Sequence, residues 1–290
     1  MARINRAIEL LEADQPIYYT GPGERSFDGG VEAAGTWADY IAYDIEHAPF
    51  DVARLADYMR GMMQQAPARS GHRTPTVIVT LPMEGISEAA VRANSWMIKQ
   101  VLATGVHGLL LCHAEDPAAV RAFVESARYP FRTTGVGEQL GVGRRGNGGQ
   151  VFAASVWGIP SDEYLQRADP WPLNPKGELL LGIKVENRRA LATVEETTKV
   201  PGISFAEWGP GDMGMAFGYP NNHDAPYPAD MWEARNRVFQ ACQAAKIAFL
   251  ESVKPDTVIQ SITEGVRIGA GHGPEAAEVG RRHTGRTLPW

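Results

Sequence analysis

Eight short apolar segments, most of them separated by helical patterns, restrict the fold of this sequence more than any other feature. Apolar runs of four to seven residues are typical of strands that are buried on both faces of a parallel sheet. The runs occupy residues 16–20, 39–45, 76–81, 108–112, 180–185, 203–208, 247–250 and 266–270. In a chain of 290 residues, eight strands that alternate with helices predict a (β/α)8 TIM barrel. A doubly wound open sheet is the alternative.

The segments between these runs carry recognisable helix starts. Asp51, Ser87 and Asp116 each precede a helical apolar pattern, and Pro117 follows Asp116 at the position where proline is favoured. The sequence shows no internal repeat and no domain linker. We therefore predict that residues 1–290 form a single barrel domain.

One long segment, residues 129–178, interrupts the alternation. It contains many glycines, several arginines and a Trp-Pro cluster. Residues 141–146 match the pattern GxGxxG, but no apolar strand leads into them and no helix follows, so a dinucleotide site is rejected. Because connections of this length usually have a function, we interpret 129–178 as an extended loop region that covers the active site.

Acidic residues follow two neighbouring predicted strands. Glu186 ends the strand at 180–185, and Asp212 ends the turn that follows the strand at 203–208. Ligands bind at the carboxyl ends of strands in parallel α/β folds, and two carboxylates there suit a hard divalent cation. Mg²⁺, Mn²⁺ and Co²⁺ all accept oxygen ligands, and no His/Cys set points to zinc. Solvated or salt-bridged acids are the competing interpretation.

Three motifs in order resemble those of the HpcH/HpaI family of metal-dependent 2-oxo-acid aldolases. They read KVEN at 184–187, GPGDM at 209–213 and, earlier in the chain, DIEHAP at 44–49. The resemblance implies a (β/α)8 class II aldolase in which Glu186 and Asp212 hold the divalent metal.

The same resemblance implies roles for further residues. The turn Gly209-Pro210-Gly211 would hold the substrate carboxylate, since a glycine without a side chain lets backbone N–H groups approach an anion closely. His47 would move the proton of the aldol hydroxyl, because imidazole titrates near working pH. Asp44 lies on the same strand and could tie into the water shell of the metal, or be an ordinary loop acid.

The chain also departs from the family pattern. Family members carry an arginine at the end of the third strand, where this chain has Thr80 or Leu81. Lys184 stands where the family often has glutamine, and strand alternation places it on the same inward face as Glu186. A buried lysine must be paired, and Glu207 on the next strand is a candidate partner. Lys184 either replaces the lost arginine charge or is half of an internal ion pair, and we expect it to be charged rather than a Schiff-base amine.

Two arginines in the long segment are further candidates. Arg144 and Arg145 could bind a distal acidic group of the substrate, or be solvated loop charges.

The predicted function is a carbon–carbon lyase that cleaves or forms a bond in a 4-hydroxy-2-oxo acid through a pyruvate enolate. Its partners would be a small 2-oxo acid and an aldehyde. One alternative is another lyase or hydrolase of the pyruvate/phosphoenolpyruvate barrel superfamily. The other alternative is a non-catalytic relative that binds a small acid.

Composition excludes several other classes. A net charge of −6 without a dense Lys/Arg stripe argues against a nucleic-acid partner. No apolar run approaches the length of a membrane span, and the amphipathic N-terminus lacks the apolar core of a secretory signal. Cys112 and Cys242 lie far apart in apolar surroundings, which favours free thiols in a reducing compartment. The sequence therefore predicts a cytoplasmic protein.

The resemblance also implies an assembly. Family members form hexamers built from dimers that exchange C-terminal helices. Here residues 274–279 would form a short last helix, and the polar tail at 280–290 has little to pack against within its own barrel. We expect a homohexamer, a trimer of dimers, with this helix exchanged between subunits.

Overall fold

The computed structural model describes residues 2–221, 225–271 and 273–286. Within these ranges the strands form one parallel sheet of nine strands in the order β4-β3-β2-β1-β9-β8-β7-β6-β5. A further pairing between β4 and β6 closes the sheet into a barrel. The strands are β1 Ile17–Thr20, β2 Tyr40–Asp44, β3 Thr76–Glu84, β4 Gly108–Cys112, β5 Pro170–Trp171, β6 Leu179–Val185, β7 Phe205–Trp208, β8 Ala248–Ser252 and β9 Ile268–Ala270.

Eight of the nine described strands form the closed barrel, and they are the eight that the apolar runs predicted. The fold class is therefore confirmed as a (β/α)8 barrel. The remaining strand, β5, is two residues long and pairs with the beginning of β6 outside the closed ring. No apolar run marked it, because a strand this short leaves almost no periodic pattern to detect.

Helices separate the strands as expected. They are α1 Arg6–Glu12, α2 Phe27–Ala33, α3 Val52–Gln64, α4 Glu88–Ala103, α5 Pro117–Ala127, α6 Gln150–Trp157, α7 Ser161–Arg167, α8 Arg188–Ala192, α9 Val194–Thr197, α10 Pro210–Phe217, α11 Ala229–Ala245, α12 Val258–Glu264 and α13 Pro274–His283. The predicted caps are confirmed: side-chain oxygens of Asp51, Ser87 and Asp116 accept backbone N–H groups in the first turns of α3, α4 and α5. None of the described helices is long and apolar enough to cross a membrane.

The interior of the barrel is apolar at its N-terminal end. Helix α1 lies across that end and places Ala7, Ile8 and Leu10 against the inward side chains of the strands. Those side chains include Ile17, Tyr40, Ile78, Leu110, Leu180, Phe205, Leu250 and Ile268. A larger core between the strands and the outer helices completes the packing. Because α1 closes one end, the interior can open to solvent only at the carboxyl ends of the strands.

The segment 129–178 does not cover that open end, and this part of our sequence interpretation is wrong. It connects α5 to β5 and β6, and a helix-to-strand connection lies at the N-terminal end of a barrel. Part of it folds into α6 and α7. Trp157 anchors α6 by donating to the carbonyl of Gly105 at 2.8 Å and by stacking on His107, 5.7 Å between ring centroids.

The C-terminal helix is longer than predicted. It continues to His283, and Arg281 and Arg286 both pair with the buried carboxylate of Asp39 on their own barrel. Part of the tail at 280–290 therefore does have something to pack against within the same chain, while residues 287–290 lie outside the described residues. Exchange of α13 between subunits stays a prediction.

Candidate active site

A cavity of about 390 Å³ opens at the carboxyl ends of the strands. Its floor is apolar, formed by Tyr40, Ile78, Leu110, Phe205 and Leu250. The next inward positions on four of the strands are Tyr19, Ala42, Thr80 and Glu207, and Lys184 on β6 joins them. The small side chains of Ala42 and Thr80 leave the space that gives the cavity its depth. The polar side chains of the cavity therefore lie directly above its apolar floor.

His47 and Asp44 form a dyad at the rim of the cavity. The Nδ1 atom of His47 lies 2.8 Å from Oδ2 of Asp44, and the backbone N–H of Glu46 donates to Oδ1 at 2.8 Å. This hydrogen bond to Asp44 raises the pKa of His47, and the nearby Glu46 carboxylate acts in the same direction. Since Asp44 engages Nδ1, the exposed Nε2 atom of His47 is the nitrogen that can exchange a proton.

Lys184 is paired, and its direct contacts are to residues other than the candidate partner Glu207. Its Nζ atom lies 2.7 Å from Oε2 of Glu46 and 2.7 Å from Oε2 of Glu186. Glu207 is its register neighbour on β7, yet the long lysine side chain extends past it towards the strand ends. Burial alone would lower the pKa of Lys184, but Glu207, Glu186 and Glu46 together outweigh it and raise that pKa. The surroundings therefore stabilise the ammonium form.

Glu186 is fully buried and only half satisfied. Its Oε1 atom accepts the backbone N–H of His113 at 2.9 Å. Its Oε2 atom receives no well-directed hydrogen bond, although the Lys184 ammonium is close. Gly209 packs against this side chain so tightly that a Cβ there would lie 3.0 Å from Oε2 and 2.8 Å from the Cβ of Glu186. Glycine is therefore required at 209, whereas the sequence had assigned the need for a bare backbone to Gly211.

Asp212 lies in the first turn of α10, the helix that begins beside Glu186. Within the described ranges its half-buried carboxylate has no hydrogen-bond or ion-pair partner. The Oε2 atom of Glu186, which is contacted by the Lys184 ammonium, and the unpaired carboxylate of Asp212 fit a divalent cation with oxygen ligands. Cys112 also lies near Glu186, but its thiol donates to the carbonyl of Leu81 and burial raises its pKa, so it stays protonated.

The turn Gly209-Pro210-Gly211 forms the N-terminus of α10. Gly209 is the N-cap residue, and no side chain caps this end of the helix. The first N–H groups of a helix have no partner within it and carry partial positive charge. This end of α10 can therefore accept the carboxylate of a small acid.

Arg144 and Arg145 do not belong to this site within the chain, which corrects our expectation for them. Arg145 is buried, and its guanidinium stacks 4.7 Å from the ring centroid of Tyr129 and 5.2 Å from that of Tyr164. The backbone N–H of Arg144 donates to the carbonyl of Glu125 at 2.8 Å. Both arginines follow α5 and so lie at the closed end of the barrel.

Sequence reasoning missed two contributors to the cavity. Glu46, a residue of the DIEHAP motif to which the sequence analysis gave no role, binds Lys184. Arg25, in the loop after β1, lines the same cavity and donates to the carbonyl of Asp44 at 3.0 Å. Its position just beyond a strand end was the available signal. Thr80 confirms that the third strand brings no cation, so Lys184 and Arg25 are the cations that line the cavity within the described residues.

This combination of parts defines a class of protein. A closed parallel barrel holds an acid–base dyad, two available carboxylates and an uncapped helix N-terminus at the carboxyl ends of its strands. These are the parts of a class II aldolase-type carbon–carbon lyase.

Comparisons with known proteins agree with this class. Residues 31–271 match the model of the HpcH/HpaI aldolase/citrate lyase family, and the chain belongs to that family. It is 28% identical to the 2-keto-3-deoxy-L-rhamnonate aldolase of Escherichia coli over 238 residues, which are 82% of this chain and 75% of that one. The predicted family and enzyme class are therefore confirmed.

Solved structures show the same fold. A family protein from Burkholderia cenocepacia superposes with a TM-score of 0.70 at 22% identity, covering 96% of both chains. The citrate lyase beta subunit from M. tuberculosis, complexed with oxaloacetate and magnesium, superposes with a TM-score of 0.52 at 14% identity and covers 94% of this chain and 98% of that one.

Proposed function

We propose that this enzyme is a divalent-metal-dependent aldolase that cleaves or forms the C3–C4 bond of a 4-hydroxy-2-oxo acid, with a pyruvate enolate as intermediate. The observation that carries the proposal is the placement of two carboxylates, Glu186 and Asp212, beside the uncapped N-terminus of α10, with no well-directed hydrogen bond to Oε2 of Glu186. The Escherichia coli relative is named for a 2-keto-3-deoxy acid, which supports this substrate class. The magnesium and oxaloacetate of the citrate lyase beta subunit support a divalent cation and a small 2-oxo acid.

Each residue of the site would have a role that follows from its position. Glu186 and Asp212 would hold the metal, which would supply a Lewis acid to the ketone oxygen and to the enolate. The Gly209-Pro210-Gly211 end of α10 would bind the carboxylate of the 2-oxo acid. His47, held by Asp44, would take the proton from the 4-hydroxyl group during cleavage and return it during addition.

Lys184 would act as a fixed positive charge. Its ammonium lies within 2.7 Å of Glu186, at the site where the oxygen of the substrate becomes negative, and it supplies charge that the third strand lacks. The two carboxylates around it keep it protonated, which opposes Schiff-base formation. Reduction with borohydride in the presence of pyruvate should therefore add no mass at Lys184.

The test of the proposed function is release of pyruvate from 4-hydroxy-2-oxo acids, detected with lactate dehydrogenase. Exhaustive chelation should abolish the release, and Mg²⁺, Mn²⁺ or Co²⁺ should restore it. Full activity after chelation would contradict metal dependence. Absence of turnover with all 2-oxo acids, together with binding of pyruvate, would favour the non-catalytic small-acid binder. Turnover without C–C cleavage would favour another lyase or hydrolase of the barrel superfamily.

Three further features belong to this proposal. Residues 1–290 act as a single domain, the protein works in the cytoplasm, where its free Cys112 and Cys242 stay reduced, and six copies assemble as a trimer of dimers. Light scattering tests the assembly, and a monomer at micromolar concentration would contradict it.

A further inference from the structure

Aldolase chemistry through an enolate needs two separate proton transfers. One takes the proton of the hydroxyl on C4, and His47 is placed for it. The other adds a proton to C3 when the enolate becomes pyruvate, or removes one when pyruvate enters the addition. The family motifs assign no residue of this chain to the carbon.

Glu207 differs from every other acid that faces the cavity. Strand alternation points it inward beside Lys184, directly above the apolar floor that includes Phe205. Within the part of the chain that the structure describes, its carboxyl group has no hydrogen-bond or ion-pair partner. Its side chain remains partly exposed, and because it points into a barrel closed at the other end, that exposure is to the cavity.

The other acids at the open end of the barrel already have partners or proposed roles. Asp44 binds His47, and Glu46 binds Lys184. Glu186 accepts the N–H of His113, and Glu186 and Asp212 are the proposed metal ligands.

The remaining polar groups are poor proton carriers at neutral pH. Lys184 is held in ion pairs with Glu46 and Glu186, and burial raises the pKa of Tyr19 far above its usual range. The Arg25 guanidinium donates to the carbonyl of Asp44, and the Thr80 hydroxyl is a weak acid. Burial raises the pKa of Glu207 to about 7, and the attraction of Lys184 opposes that rise. Glu207 can therefore hold or release a proton under working conditions.

We infer that Glu207 is the catalytic residue that transfers the proton at C3 of the 2-oxo acid, an inference that rests on the proposed function. In the cleavage direction the carboxylic acid of Glu207 gives its proton to C3. The electron pair of the C2–C3 double bond forms the new C–H bond, and the oxygen on C2 returns to a ketone. The Glu207 carboxylate then regains a proton from water in the open cavity.

Exchange of the pyruvate methyl hydrogens in deuterium oxide measures this step without any aldehyde. The metal-loaded protein is incubated with pyruvate, and loss of the methyl signal is followed by proton NMR. Glu207→Gln should slow exchange by about 10²–10⁴-fold, the usual contribution of a positioned acid–base group. Glu207→Asp, which keeps the carboxyl group, should recover part of the rate. Glu233→Gln, the same change at an exposed position on α11, is the matched control and should exchange at the wild-type rate.

A second measurement separates carbon protonation from a general loss of the site. In rapid-quench cleavage of a 4-hydroxy-2-oxo acid, Glu207→Gln should release a first equivalent of aldehyde within about threefold of the wild-type rate and then turn over slowly, because only enolate protonation is impaired. Exchange at the wild-type rate in Glu207→Gln would overturn the inference. Equal loss of exchange and of the aldehyde burst would also overturn it. A wild-type protein that neither exchanges nor cleaves would instead overturn the proposed function.

Discussion

Both ends of the barrel contain buried charge, but the two ends use it differently. At the closed end Glu178 accepts hydrogen bonds from the backbone N–H of Asn5 and from Arg167, and Arg128 binds Asp169 through two nitrogens. At the open end Asp212 and Glu207 have no partner within the described residues.

This difference indicates where chemistry can occur. A buried charge whose partners are all in place is held by the fold, and removing one partner leaves the other uncompensated. A carboxylate without a partner costs stability and is retained where a ligand or a proton completes it. Satisfied charge at one end and unsatisfied charge at the other therefore separate the structural end of this barrel from its reactive end.

The largest expected effect is on activity. It comes from changing a carboxylate to an amide at the open end, in Asp212→Asn, and is compared with the same change at the closed end, in Asp169→Asn. Asp212→Asn should abolish metal-dependent cleavage, because an amide is a much weaker ligand than a carboxylate. Its thermal stability should stay close to that of the wild type, since the Asp212 side chain makes no hydrogen bond or ion pair with the described residues. Turnover of the wild type, Asp212→Asn and Asp169→Asn is compared at saturating Mn²⁺. Substantial activity in Asp212→Asn would erase the distinction between the two ends.

The dyad at the rim should give the next largest effect. His47→Ala should lower kcat by about 10²–10⁴-fold with metal affinity nearly unchanged, because it removes a proton carrier and no ligand. The assay is steady-state cleavage together with metal titration of the same preparation. A loss of less than about threefold would make His47 a structural residue.

Sequence reasoning succeeded where the signal is local or repeats along the chain. Apolar runs and N-caps such as Asp51 fixed the strands and helices, because a strand buried on both faces must be apolar throughout. Short motifs also marked His47, Glu186 and Asp212, whose roles stay predictions. Contacts across the barrel were harder to predict from the sequence. Lys184 could reach partners on either side, and it pairs with Glu46 rather than with Glu207.

The segment 129–178 shows a different kind of error. Its length suggested a functional cover, but its place after a helix and before a strand already put it at the N-terminal end of the barrel. Tyr129, Arg145 and Tyr164 form a stack there whose members are far apart in the sequence. Contacts between such distant positions leave no periodic pattern, so the sequence alone did not reveal them.

A substitution at the closed end should lower the free energy of unfolding. Asp169→Asn leaves the fully buried guanidinium of Arg128 without its counter-charge and should cost about 3–5 kcal/mol of unfolding free energy. The folded fraction should keep its kcat, because the change lies at the end of the barrel away from the cavity. Denaturant unfolding and cleavage assays below the transition measure the two quantities. Wild-type stability in this variant would show that the buried pair is not structural.

The smallest expected effect is a shift in pH dependence. His47 must be neutral to accept a proton, and Asp44 raises its pKa above the usual 6.5. The wild-type kcat/KM should therefore fall as the pH decreases through a value above 6.5. Asp44→Asn removes the negative charge, lowers the pKa of His47 and moves this limb to lower pH. An unchanged limb would mean that another group controls it.

Direct binding of Mn²⁺ tests the central claim, that Glu186 and Asp212 at the open end form the metal site. Calorimetric titration of the metal-free protein should show one ion per chain in the wild type and in Asp169→Asn. The same titration should show no comparable binding in Asp212→Asn. Wild-type binding in Asp212→Asn, or loss of binding in a folded Asp169→Asn protein, would contradict the account.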